Sequence, residues 1–281
     1  MALKKKGKSK SVIPGFRLTL GITVLMVSLL ILIPLASVLA YSFKLSPSEF
    51  FELITKKNVV SAFRTSILCS FVAALVNSIF GLILAWVLVK YEFPGKKILD
   101  GLIELPFALP TAVAGITLTK MYSDTGFPGK FFSAAGLDIA YTKIGIVIAL
   151  VFIGIPFTVR AVQPVLEKLD PQYEEAALIL GASRQRTFLK VIFPELFPSL
   201  LTGFGLALAR GIGEYGSVIY ISGNSAKNNT QVVSYVIMQK LERMDYASAT
   251  AIALVLLIIS FVLLFAINII QIRRSRRVSV R

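Results

Sequence analysis

An all-α integral membrane protein with six transmembrane helices is the fold class this sequence predicts, on three observations. Hydrophobic residues make up 56% of the 281-residue chain and lie in long blocks, where a soluble domain would alternate them with polar ones. The blocks are long enough to cross a hydrocarbon core of about 30 Å. Lys and Arg collect at the block ends, so the formal net charge of +15 reads as membrane topology and not as a nucleic-acid surface.

The elements follow in order. Residues 1–17 form a basic tail with Lys4, Lys5, Lys6, Lys8, Lys10 and Arg17. The apolar run from Leu18 to about Tyr41 is too long for a signal-peptide core and predicts a first span, kinked near Pro34. The second span is expected over about 65–89, with Arg64 at its start and Trp86 as an interfacial anchor. The third, about 98–121, is broken by Pro106 and Pro110. Such breaks are tolerated where neighbouring helices or a cavity satisfy the freed backbone. A Gly- and Pro-rich loop precedes the fourth span, about 144–162. The fifth and sixth are expected over about 196–221 and 247–270. Arg273, Arg274, Arg276, Arg277 and Arg281 end the chain. The six-span unit is thus 18–271, with a C-tail over 272–281.

Orientation follows from counting Lys and Arg. The N-tail, the 90–97 loop, the stretch 160–195 and the C-tail carry six, three, five and five; the three alternate loops carry three each. The excess predicts both termini on the cytoplasmic (or stromal) side. The basic N-terminus lacks an Arg/Ser transit pattern, so the expected site is a bacterial inner membrane or, for a plastid-made chain, a chloroplast membrane such as the inner envelope.

One polar stretch stands out, Asp170–Pro194 (DPQYEEAALILGASRQRTFLKVIFP). Asp170 is a capping residue and Pro171 suits the first helical position. Glu174 and Glu175 then fall in the first turn, where carboxylates complement the helix dipole. Gly181 is the expected stop, and Ser183 is the expected cap of a second short helix running toward Val191. Ala177 and Gly181, four apart with Ala176 beside them, make a small-residue face on which another protein could sit. The charge count puts the stretch on the cytoplasmic side.

Glu175-Ala176-Ala177, three residues, Gly181, nine residues, then Val191-Ile192-Phe193-Pro194 resembles the EAA loop of permease subunits in ATP-binding-cassette importers. The family prefers Ile and Leu where Val191 and Phe193 stand. The resemblance implies an ABC importer permease fold whose cytoplasmic coupling helices dock into a separate ATPase through Glu174, Glu175, Ala176, Ala177, Gly181 and Pro194. LPFALPTAVAGITL, VRAVQPVLE, ARGIGEYGSVIYISGN and DYASATAIALVLL extend it to sulfate-importer permeases of the T type, over about 14–272. The GIGEYG element is shared in related form with molybdate and tungstate permeases. The implied partners are a sister permease in a hetero-dimer, two ATP-binding cassette subunits that hold the ATP and Mg, and a sulfate-binding protein, with membrane lipid around them and no nucleic acid.

The fifth span carries two charges, Arg210 and Glu214, four apart and so on one helix face. Gly211, Gly213 and Gly216 surround them. Arg210, Gly213, Glu214 and Gly216 are therefore candidate pathway or gate residues, with Arg210 available to an oxyanion and Glu214 expected to be paired. A structural ion pair between helices is the competing reading. Arg160 reads as a snorkelling cation, and Asp100 and Glu104 as interfacial or helix-end residues. The sequon Asn228-Asn229-Thr230 reads as chance.

The chain has no His and a single Cys69 inside an apolar run. No catalytic set, metal site or disulfide framework is predicted. Gly129-Lys130 is followed by Phe131, with no glycine five residues before Gly129, so there is no phosphate loop and ATP hydrolysis is expected on another chain. Three functions stay in view: an ATP-driven permease for sulfate and thiosulfate, the same machine carrying molybdate or tungstate, and an ion-coupled secondary transporter. The last needs titratable groups at the midplane, where Glu214 is the one obvious candidate.

Overall fold

The structure, a computed structural model, describes residues 16–278, and within them every regular element is helical. The basic tail from Lys4 to Lys10 and the terminal Arg281 lie outside the described residues. The helices are α1 (Phe16–Val27), α2 (Ile33–Ser42), α3 (Pro47–Thr55), α4 (Lys57–Lys90), α5 (Lys96–Ala108), α6 (Thr111–Tyr122) and α7 (Phe127–Ala134). Then come α8 (Lys143–Glu167), α9 (Gln172–Ile179), α10 (Arg184–Thr187), α11 (Phe193–Ile212), α12 (Val218–Ile221), α13 (Val233–Glu242) and α14 (Tyr246–Val278). Five helical runs are long and apolar enough to span a membrane, and a bent pair makes the sixth.

The first span runs from α1 through a π turn, Ser28–Leu32, into α2. The turn has a local cause. Pro34 has no N–H and its ring clashes with the carbonyl four residues back. The Ile33 N–H reaches Ser28 O, five back, and this wider register lets the helix continue past the proline. The same device recurs at Phe188–Ile192, ahead of Pro194.

The core is a close packing of α4, α8 and α11. Thr158 of α8 sits between two glycines: a Cβ at Gly81 would come within 2.7 Å of Thr158 Cβ, and one at Gly203 within 2.7 Å of Thr158 Cα. Small residues let membrane helices approach this closely, where no hydrophobic force drives them together. At one end of the bundle Val59, Ala62 and Phe63 of α4 pack with Val233, Val236, Ala251 and Ile252. At the other, Ala85 and Leu88 pack with Val162, Leu166, Ile192 and Leu196.

Several expectations are corrected. The second span extends back to Lys57, because the buried Val59, Ala62 and Phe63 carry the helix past the end of the apolar run; Arg64 lies within it and is exposed. The third span is two helices bent by 112°, with the break at Leu109–Pro110, while Pro106 is accommodated inside α5. The second short helix of the 170–194 stretch does not stop at Val191; α10 runs through the π turn into α11. The fifth span ends at Ile212 and not 221, since the Gly-rich GIGEYGS segment breaks the helix before α12. The sixth helix continues to Val278, into the segment assigned to the C-tail. Helices α3, α7 and α13 fall in stretches read as loops.

Candidate functional site: the 170–194 loop and the broken-helix centre

The loop between the fourth and fifth spans is built by its caps. Asp170 Oδ1 accepts from the Gln172 N–H at 2.9 Å, but α9 starts one residue later than expected, at Gln172, with Pro171 and not Asp170 at the N-cap. Helix α9 ends in a Schellman turn: Gly181 sits at φ +77°, its N–H donates to Leu178 O at 2.9 Å, and the Ala182 N–H donates to Ala177 O at 3.0 Å. A Cβ at Gly181 would meet nothing within 4 Å, so the backbone angle, not space within this chain, requires glycine. Ser183 Oγ then accepts from the Arg186 N–H at 3.3 Å and caps α10.

Glu174 and Glu175 lie in the first turn of α9, as expected. Glu174 is ion-paired with Lys90 at the end of α4, while Glu175 and Ala176 are exposed. The small-residue face divides, which corrects the sequence reading. Ala177 is turned inward and is the one buried residue of α9, so it does not share an outward face with Ala176. The outward tip is apolar instead: Ile179 and Leu180 are each 86% exposed. Pro194 stands at the second position of α11, where it accompanies the π turn that joins loop to span.

The second cluster lies where two broken spans meet. Arg210 is in the last turn of α11 and Glu214 lies just past its end, so the two do not share a helix face as expected, yet they pair: Arg210 NH1 is 2.5 Å from Glu214 Oε2. Glu214 is 3% exposed. Its Oε1 accepts from the Ser217 N–H at 2.9 Å and from Ser217 Oγ at 3.1 Å. Its backbone carbonyl accepts from Ser234 Oγ at 2.6 Å, tying in the start of α13. The Arg210 side chain is 39% exposed, with Glu214 its one ion-pair partner among the described residues. A guanidinium has five N–H donors, more than this one pair uses.

Gly216 seats this break against the other one. A Cβ there would lie 2.1 Å from Thr111 Oγ1, at the first residue of α6, and one at Gly115 would lie 2.4 Å from Ser217 O. A Cβ at Gly213 would meet nothing within 4 Å, so that glycine faces open space. Sequence reasoning missed a third cluster. Arg160 of α8 bridges Asp100 and Glu104 of α5, both at 2.8 Å, with Gln163 Oε1 at 2.6 Å. The available signal was two carboxylates one helical turn apart, on the segment preceding the span that carries the lone cation. No group of three or more His, Cys, Asp or Glu side chains able to hold a metal occurs among the described residues.

Comparison with known proteins bears on this geometry. The model of the family described as "Binding-protein-dependent transport system inner membrane component" matches residues 77–280. The sulfate transport system permease protein CysT of Salmonella typhimurium is 47% identical over 270 residues, covering 96% of this chain and 97% of its own length. The CysT of Synechocystis sp. is 42% identical over 250 residues, 89% and 87% of the two chains. The probable sulfate transport system permease protein cysT of Nephroselmis olivacea is 44% identical over 251 residues, 89% and 88%. Among solved structures, a chain of a bacterial ABC transporter involved in import of the acidic polysaccharide alginate superposes with a TM-score of 0.77 at 17% identity, over 92% of this chain and 95% of that one. A chain of the MetNI methionine ABC transporter gives 0.57 at 17% identity, over 77% and 96%. At these identities the structural likeness is one of fold.

Proposed function

This chain belongs to the family of binding-protein-dependent transport system inner membrane components, and from that membership we propose that it is a permease subunit of an ATP-driven importer of sulfate, with thiosulfate as a second cargo. It pairs with a sister permease. Two ATPase subunits, which hold the ATP and Mg, dock on the 170–194 loop, and a binding protein delivers the anion to the opposite face. The membrane is a bacterial inner membrane or a plastid envelope membrane, with both termini on the ATPase side.

The observation that carries the coupling role is the construction of α9. The Asp170 bond at its start and the Gly181 turn at its end fix a helix whose apolar tip, Ile179 and Leu180, is exposed. Such a tip is suited to a groove on a partner. Closure of the ATPases on ATP moves this loop, the spans open toward the loaded binding protein, and hydrolysis resets them. Arg210 supplies the pathway with a cation whose own carboxylate partner is already saturated. A dianionic oxyanion therefore meets guanidinium N–H groups and not a bare Glu214.

Molybdate and tungstate carry the same charge on a similar tetrahedron, and Arg210 would serve them equally. Sulfate is favoured by the identity to relatives named for it. An ion-coupled mechanism is disfavoured because Glu214, the one obvious candidate at the midplane, is already engaged by Arg210 and Ser217. The test is labelled-sulfate uptake in a cell lacking its own sulfate permease, with the cognate subunits supplied and molybdate as competitor. Uptake should require ATP and resist molybdate. Preferential block by molybdate would favour the second cargo, and uptake on an ion gradient without ATP would overturn the reading.

A further inference from the structure

Helix α9 is held to its own chain by little. Ala177 is its one buried residue, and its one ion pair among the described residues joins Glu174 to Lys90. That tie leads to neither α8 nor α11, which flank the loop in sequence, but to the last residue of α4. Lys90 in the final turn of α4 and Glu174 in the first turn of α9 each complement their own helix dipole. Lys90 Nζ also lies 5.5 Å from the ring centroid of Trp86, one turn earlier. Trp86 in turn meets Phe188 edge-on, with centroids 5.3 Å apart and planes at 82°. Phe188 opens the π turn at the other end of the loop. Both ends of the loop therefore bear on the end of α4.

The far end of α4 is tied as firmly. Ser61 Oγ donates to Asn229 Oδ1 at 2.6 Å, Thr65 Oγ1 donates to Asn229 O at 2.9 Å, and the Val233 N–H donates to Ser66 Oγ at 2.9 Å. Between these ties α4 runs 34 residues without a proline, a rod of about 50 Å. Helices α8 and α11 both carry internal prolines. We propose that Lys90 is a positioning residue that fastens α9 to α4, and that α4 is the lever by which movement of the 170–194 loop reaches the 229–233 segment on the opposite face.

The proposal rests on the docking of an ATPase at that loop, and its test separates the two. In the assembled complex, the readouts are retention of the ATPase subunits on purification and the ratio of ATP hydrolysis with and without loaded binding protein. Lys90→Met should retain the subunits while the ratio falls severalfold, and Lys90→Arg should keep the ratio. Glu174→Gln should lower the ratio as Lys90→Met does, and the double variant should lower it no further, since both remove one tie. A normal ratio in Lys90→Met, or additive losses in the double variant, would overturn the lever. Failure of the docking reading looks different: the unaltered chain would not retain ATPase subunits at all.

Discussion

A charged side chain at the centre of a membrane helix costs about 2.5–3.5 kcal/mol on insertion scales, and Glu214 offsets that cost with neighbours. Arg210 supplies one charge-assisted contact, and Ser217 supplies its backbone N–H and its hydroxyl. The arrangement separates two roles that the sequence leaves entangled. Were Arg210 there only to neutralise Glu214, removing both charges together would be harmless. We expect otherwise. Arg210→Gln should lower the thermal midpoint, at a cost of about 1–3 kcal/mol for a weakened buried carboxylate, and should abolish sulfate uptake. Arg210→Gln with Glu214→Gln should regain most of the stability and none of the uptake. Recovery of uptake in the double variant would make the pair purely structural.

At the scale of the element, two helices end in the same turn with different residues. Helix α9 closes on Gly181 at φ +77°, while α13 closes on Met244 at φ 58° with matching bonds, Met244 N–H to Leu241 O and Asp245 N–H to Lys240 O, both 2.9 Å. A left-handed non-glycine residue costs roughly 1–2 kcal/mol. Gly181→Ala should therefore insert normally but loosen the α9 turn, weakening retention of the ATPase subunits by about fivefold to thirtyfold if the strain is relieved only by losing the docked shape. Undiminished retention would mean that the turn is not read by the partner. Met244→Gly runs the other way. Met244 is exposed, so the exchange loses little packing, and stability should rise by about 0.5–1 kcal/mol after the added freedom of the unfolded chain is subtracted. A lowered thermal midpoint would show that the Met side chain contributes packing. These turns also mark what was legible. Asp170, Gly181 and Ser183 act on backbone two or three residues away, so their roles could be read from the string. The inward turn of Ala177 could not, because it depends on packing against the spans. The partners of Arg160 lie some sixty residues earlier in the chain. The end of the fifth span at Ile212 was hidden by the apolar Val218–Ile221 that follows the glycines. The π turns were hidden because a proline announces an irregularity without saying how the helix absorbs it.

At the scale of the whole molecule, the ties described above divide the chain into two faces joined by spans. One holds the 170–194 loop, the Lys90 end of α4 and the Arg160 cluster; the other holds α3, α13 and the Asn229 turn. Which face meets the cytoplasm rests on the charge count, six, three, five and five Lys and Arg against three in each alternate loop. That rule counts Lys and Arg in short loops near the span ends, and a direct measurement checks it. The native thiol makes one convenient. Cys69 is 4% exposed in the middle of α4, so it should stay silent to a membrane-impermeant maleimide and no cysteine-free background is needed. Ile179→Cys, at the exposed tip of α9, should react only after the membrane is permeabilised. Lys227→Cys, in the loop before α13, should react in intact cells. The reverse pattern would turn the loop toward the face where no ATP is available, and the coupling role would fall with it. Labelling of both positions in intact cells would break the six-span count, because an odd number of crossings between residues 179 and 227 is what the single span Arg184–Ile212 demands.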